Sequence, residues 1–181
     1  MKKIIGLTGP IASGKEVVKK YLEEKYNAKS VKFSQILRDV LHRLDIPVER
    51  KTMQEMSTVL RQSFGEDLLA RNIAKDAEDI DADIVVLDGV RRLADIEHAK
   101  KLDNFYLIKI DASPELRYER MKSRNENEGD GKKTYDDFLK DHESEADRSV
   151  DDVMKEASIS ISNDGSIDDL YKQVDEIIKN L

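Results

Sequence analysis

Apolar positions alternate with polar ones along this chain at two spacings, and the order of those spacings predicts the architecture. Ile4 to Leu7 is a short apolar run. Val17, Val18, Tyr21 and Leu22 then recur at helical spacing, which predicts a strand followed by a helix from Gly14 to Tyr26 that packs on the sheet. Ala28 to Phe33 reads as a second strand, and Ser34 as the cap of a helix carrying Ile36, Leu37, Val40, Leu41 and Leu44 inward, ended by Pro47. From Thr52 to Asp79 the pattern is helical again. One stripe holds Met53, Met56, Val59 and Leu60; Gly65 interrupts; a second holds Leu68, Leu69, Ile73 and Ala77. Ile84 to Leu87 is the clearest buried strand, followed by a short helix over Asp95–Leu102 and a strand over Phe105–Ile110. Ser113 and Pro114 open a helix, as cap and first-turn residue. A further helix is predicted from Tyr135 to Ala146 and a fifth strand from Ala157 to Ser162. Asn163-Asp164-Gly165 is a turn, and Ser166 with Asp169 caps the last helix, whose inward stripe is Ile167, Leu170, Val174, Ile177 and Ile178. Strands separated by helices imply a parallel sheet between two helical layers.

Composition narrows the class. At 181 residues the chain is expected to form one domain with a sizeable core. Apolar residues make up 39% and charged residues 38%, too rich in apolar surface for a disordered chain. Cysteine is absent, which excludes disulfides and thiolate metal sites. No apolar run is long enough to span a membrane and no signal-peptide pattern is present, so a cytoplasmic protein is expected. The net charge of -7 disfavours a general nucleic-acid or anionic-membrane binder, which needs a broad basic face. It leaves room for a phosphate ligand, for which a few converging cations suffice.

The candidate chemistry starts between the first strand and the first helix. Gly9-Pro10-Ile11-Ala12-Ser13-Gly14-Lys15 fits the phosphate-binding spacing G-x-x-x-x-G-K, in its proper strand–turn–helix context. Successive amides must turn inward around a phosphate, which demands conformations that glycine adopts cheaply. The following helix offers its N-terminal amides, and Lys15 a charge that reaches the terminal phosphates. Glu16 stands where a hydroxyl residue normally holds Mg²⁺. Asp88 ends the third strand, as the acidic residue beside such a loop should, so Glu16 and Asp88 are the candidate Mg²⁺ ligands. Arg91 and Arg92 emerge at the carboxyl end of the same strand, where ligands of open α/β sheets bind. Arg117, Arg120 and Arg124 share one helix face, and the polar stretch Asn125–Lys133 beyond them is expected to be a mobile lid segment.

These pieces together resemble the nucleotide-kinase-like P-loop phosphotransferases, which include nucleoside and deoxynucleoside monophosphate kinases and dephospho-CoA kinase. The opening Ile5–Lys15 looks like that of dephospho-CoA kinase. Val86–Arg91, Asp95-Ile96-Glu97 and Ala112–Arg120 look more like an uncharacterised, mainly archaeal kinase-like family. The resemblance implies a P-loop NTPase αβα sandwich with a five-stranded parallel sheet. Its core would be residues 1–33, 80–122 and 155–181, with an acceptor-binding helical region at 34–79 and a lid at 123–150. It implies that Gly9 to Glu16 bind ATP with Mg²⁺, with Asn163 and Gly165 beside the adenine. Arg38, Arg61 and Arg91 would bind the acceptor, while Lys15, Asp88, Arg120 and Arg124 serve catalysis. The acidic-plus-arginine pattern expected after the lid is present only as Asp141, Glu145 and Arg148. The expected activity is γ-phosphoryl transfer from ATP to a small nucleotide-type acceptor, foremost a nucleoside or deoxynucleoside monophosphate. Dephospho-CoA, with Asp88 as base, is one alternative. A nucleotide-binding switch with weak hydrolysis, in which Glu16 marks degraded catalysis, is another. A 5′-end nucleic-acid kinase is disfavoured by the acidic balance.

Overall fold

The computed structural model describes residues 1–124, 134–142 and 145–181; the side chains of residues 50, 124, 141–142 and 145–148 lie outside the described residues. Five strands form the sheet: β1 (Lys3–Thr8), β2 (Lys29–Lys32), β3 (Ile84–Asp88), β4 (Phe105–Asp111) and β5 (Ile159–Ser162). Every neighbouring pair is parallel, in the order β2-β3-β1-β4-β5. Parallel pairing requires crossovers, and helices supply them. α1 (Lys15–Tyr26) joins β1 to β2. α2 (Phe33–Arg43), α3 (Arg50–Phe64) and α4 (Leu68–Asp79) lie between β2 and β3. α5 (Leu93–Ile96) and a short 3₁₀ turn (Ala99–Lys101) precede β4. α6 (Pro114–Arg124), α7 (Tyr135–His142) and α8 (Glu145–Lys155) lead to β5, and α9 (Ile167–Asn180) closes the chain.

Alternation along the strands divides the core in two. Ile4, Val85, Leu87 and Leu107 face one way and pack with Leu37, Leu69, Ile73 and Val153. Ile5, Leu7, Ile84, Val86, Ile108 and Ile110 face the other way and pack with Val18, Leu22, Leu170, Val174 and Ile178. Both faces are covered, so the buried strands read as continuous apolar runs.

The helix stripes predicted from spacing are buried or half-buried apart from three positions. Leu44, Val59 and Ile167 are exposed, the first because it caps α2 and the third because it starts α9. Ser34 does not cap α2. That helix begins one residue earlier, after extended Lys32, because Phe33 is drawn into the core. The helix predicted over Asp95–Leu102 is α5 followed by the 3₁₀ turn. Lys2 and Lys3 bind helix ends: Lys2 Nζ donates to the carbonyls of Ala77 and Glu78 in the last turn of α4 and of Ile80 just after it, and Lys3 Nζ to that of Ile178 in α9. Carbonyls at a helix C-terminus have no helical partner, and an ammonium satisfies them. The expected lid segment Asn125–Lys133 lies outside the described residues. In α8, Val150 and Val153 are buried. Among the described residues no helix is long and apolar enough to cross a membrane.

Candidate functional site

The carboxyl ends of β1, β3 and β4 lie side by side, because β1 pairs with β3 on one edge and β4 on the other. The turn after β1 therefore sits at the centre of that rim. Its backbone bends through Gly9 (φ 145), Ala12 (φ 60) and Gly14 (φ 110), all positive. Gly9 and Gly14 are required for space as well as for conformation. A Cβ on Gly9 would stand 2.1 Å from the Ile110 carbonyl oxygen, and one on Gly14 2.2 Å from Asn163 Nδ2. Within this turn the amides of Ile11, Ala12 and Gly14 donate to no backbone carbonyl among the described residues. Ser13 Oγ and Thr8 Oγ1 are buried and without a hydrogen-bond partner there. Lys15 folds back over the turn, its Nζ donating to the carbonyls of Gly9 at 2.6 Å and Pro10 at 2.8 Å. Buried polar groups left unpaired cost stability, so this is a turn shaped to meet an external partner rich in acceptors.

Asn163, expected beside an adenine, braces the turn. Its Nδ2 donates to the Ser13 carbonyl at 2.8 Å, and its own carbonyl accepts from Arg120 Nη2 at 2.8 Å. Arg120 thereby reaches the turn from α6, leaving a buried Nη1 without a hydrogen-bond partner. Asp164 ties the same corner to the start of α6, accepting from the Ser113 amide; that bond and the one from Ser162 hold its carboxyl below the usual carboxylate range. Gly165 sits in the turn into α9, facing the cap residue Asp169. Arg124 ends α6, and its side chain lies outside the described residues, as do those of Asp141, Glu145 and Arg148. Arg117 is buried under the loop, Nε donating to the Ala112 carbonyl and the guanidinium 5.6 Å from the Phe138 ring. Ala12 of the turn packs with Met121 and Phe138, so α6 and α7 rest directly on it.

The acceptor-side arginines divide. Arg38 is exposed on α2 and Arg91 is exposed after β3. Arg61 is 8% exposed and engaged: Nη1 donates to the Glu66 carbonyl at 2.7 Å and Nη2 lies 3.6 Å from Asp95 Oδ1. Asp95, 5% exposed, accepts from the amides of Arg91 and Arg92 at 3.0 Å each. It thus fixes the turn that presents Arg91 and joins it to Arg61. The sequence gives no sign of this, because an aspartate near a helix start usually caps only its own helix.

Glu16 and Asp88 were expected to hold Mg²⁺. The structure brings them together but puts Lys19 between them. Lys19 Nζ is 2.5 Å from Glu16 Oε2 and 2.9 Å from Asp88 Oδ2, with Lys32 Nζ 3.6 Å from the same Asp88 oxygen. Burial pushes the Lys19 ammonium toward losing its proton, but the bonds to Glu16 and Asp88 outweigh it and the group is held above its ordinary range. No set of three or more metal-type side chains gathers among the described residues. As a direct ligand pair for Mg²⁺, Glu16 and Asp88 do not fit, since both already hold an ammonium. Lys19 is the buried residue of this rim that sequence reasoning missed. Its one signal is a place one turn beyond Lys15 and three residues from Glu16 on the same helix.

A family model described as an AAA domain matches residues 5–149. The chain belongs to that family. A UPF0200 protein of Staphylothermus marinus is 30% identical over 182 residues, covering 98% of this chain and 92% of its own. Among solved structures, TT1252 from Thermus thermophilus is similar with a TM-score of 0.65 and 18% identity, covering 99% of this chain and 98% of that one. Shikimate kinase from Bacteroides thetaiotaomicron follows with a TM-score of 0.64 and 15% identity, covering 98% and 97%. The fold is that of the P-loop kinases.

Proposed function

We propose that this chain is an ATP-dependent kinase of small molecules, moving the γ-phosphoryl group to a nucleotide-type acceptor. The observation that carries the reading is the turn Gly9–Lys15: amides without backbone partners, two positive-φ glycines and an ammonium in one turn at the sheet's carboxyl rim. Neighbours named as shikimate kinases support phosphoryl transfer as the class.

Phosphoryl transfer needs positioning and charge neutralisation more than covalent help. In this reading Lys15 leaves the carbonyls of Gly9 and Pro10 for the donor phosphates, and the turn amides take the remaining oxygens. Arg120 offers its unpartnered Nη1 to the transferring group. Arg38 and Arg91, both exposed, orient the acceptor, while Arg61 acts through Asp95 by holding the turn that carries Arg91. Asp88 belongs to an ion-pair network with Lys19 and Lys32. That favours an acceptor that arrives ionised, a phosphate, over a hydroxyl that needs a base.

A coupled ADP-release screen tests this. Nucleoside monophosphates, deoxynucleotides, dephospho-CoA and shikimate are each offered with ATP against acceptor-free hydrolysis. A monophosphate is expected to raise ADP release above background. Absence of calorimetric heat with any nucleoside triphosphate would falsify the kinase reading.

A further inference from the structure

A lysine is an unusual residue to find 3% exposed next to a phosphate-binding turn. Removing an ammonium from water is expensive unless carboxylates meet it. Here two do: Glu16 Oε2 at 2.5 Å, three residues back on α1, and Asp88 Oδ2 at 2.9 Å, across from the end of β3. Their side chains are 46% and 29% exposed, whereas that of Lys19 is 4% exposed. The cation is therefore the enclosed member of the trio and the acids are its lids. Lys32 approaches Asp88 from β2 at 3.6 Å. Two ammoniums and two carboxylates cancel, so this cluster offers no net charge to attract a divalent ion.

Geometry sharpens the point. Mg²⁺ binds carboxylate oxygens at roughly 2.0–2.1 Å. A divalent ion on Glu16 Oε2 and Asp88 Oδ2 would compete with Lys19 Nζ for the same two oxygens and would meet it as a like charge. The departure at position 16, a carboxylate where a hydroxyl is usual, thus has a partner. A hydroxyl could not hold Lys19 by charge, and Glu16 does.

We propose that Lys19 is the resident cation of this site: its ammonium occupies the bridge between Glu16 and Asp88, so the chain binds its nucleotide without a divalent ion ligated by that carboxylate pair. The nucleotide half of this statement rests on the kinase reading; the cation half does not.

The test separates the two. Mn²⁺ is titrated into the nucleotide-free full chain, with bound and free ion counted by electron paramagnetic resonance. Wild type is expected to take up no Mn²⁺ with a Kd tighter than about 1 mM, the weak end of oxygen-ligand sites. Lys19→Met is expected to gain a site about tenfold tighter than that limit, and the added change Asp88→Asn to abolish it. Lys19→Arg, which keeps the charge, should gain none. Wild-type uptake tighter than about 1 mM that disappears in Glu16→Gln or Asp88→Asn overturns the proposal, and this arm needs no Lys19 variant to fold. A second arm measures ATP binding by calorimetry with Mg²⁺ and with excess EDTA. Affinities within about tenfold, some 1.4 kcal/mol, support a built-in cation; a larger loss on chelation that disappears in Glu16→Gln or Asp88→Asn overturns it. Because the Mn²⁺ arm contains no nucleotide, its result stands whether or not the chain binds ATP.

Discussion

Lys15 and Asp95 show two ways in which a single residue can matter here. The place of Lys15 was legible from spacing, because it follows from local geometry: one residue past Gly14, at the start of α1, its ammonium lies over the turn. Replacing it with Ala removes one preorganised charge, and turnover in the ADP-release assay should fall about 10²-fold or more. Near-normal turnover would take Lys15 out of the mechanism. Asp95 was not legible, since its partners come from α3 and from the turn after β3. It sits against a buried guanidinium, so Asp95→Ala leaves Arg61 only the exposed Glu66 carboxylate, 3.9 Å away, as a counter-charge and leaves two amides without an acceptor. Breaking one side of a buried ion pair costs about 3 kcal/mol or more, and urea unfolding should show a loss of that order. A variant within about 0.5 kcal/mol of wild type would mean that Asp95 is not what keeps Arg61 buried. Lys19 was unreadable for the same reason as Asp95: helix spacing pairs it with Glu16, but only the placement of β3 beside β1 brings Asp88 to it.

Among the elements, α7 packs on the phosphate-binding turn and on its helical neighbours. Phe138 is 1% exposed, in a small cluster of its own with Ala12 and Met121, flanked by Tyr118 and Tyr135. The sequence predicted a helix here and a lid, but not that its aromatic side chain would rest on the phosphate-binding turn. Periodicity tells which face of a helix is apolar and says nothing of what that face meets. Truncating a buried phenylalanine costs about 3–5 kcal/mol. Because the cluster is separate from both halves of the main core, that loss should be felt locally in Phe138→Ala. Amide hydrogen exchange should speed in α7 and in Ile11–Gly14 while β1, β3 and β4 keep their protection. Uniform acceleration across the sheet would instead make Phe138 part of the global core. Contrast α9, whose start was fully legible: Ser166 and Asp169 form a reciprocal cap with bonds between neighbours in sequence, so nothing distant had to be known.

The molecule as a whole is closed by contact between its first and last long helices. The strand–helix order was enough to give a parallel three-layer sheet, but not that α1 and α9 would lie together on one face; that follows from β1 holding the centre and β5 the edge. Their seam carries a polar knot around Asp175 of α9. Lys25 Nζ donates to it at 2.6 Å, Tyr26 Oη at 2.7 Å and Tyr21 Oη at 2.9 Å, and the Tyr21 ring stacks on Tyr171. The Lys25 and Tyr26 bonds, in that order, hold the Asp175 carboxyl below its usual range. Reciprocally, the bond to Asp175 holds the Lys25 ammonium above its range, and burial followed by the same carboxylate raises the Tyr26 phenol. The sign of the linkage follows. A depressed carboxyl stabilises the fold above its unfolded value, about 4, and that contribution fades as pH falls through the folded value. Raised ammonium and phenol groups stabilise the fold below their unfolded values, about 10, and lose that contribution as pH climbs past the folded ones. Asp175→Asn should therefore lower Tm most between these limits, and the gap to wild type should close toward pH 3. The knot is partly exposed, so added salt should narrow the gap at neutral pH as well. Thermal melts of both proteins at pH 3 and pH 7, in low and high salt, check this. A gap of the same size at both pH values would show that Asp175 acts through packing alone, and the charge account of the α1–α9 seam would fail.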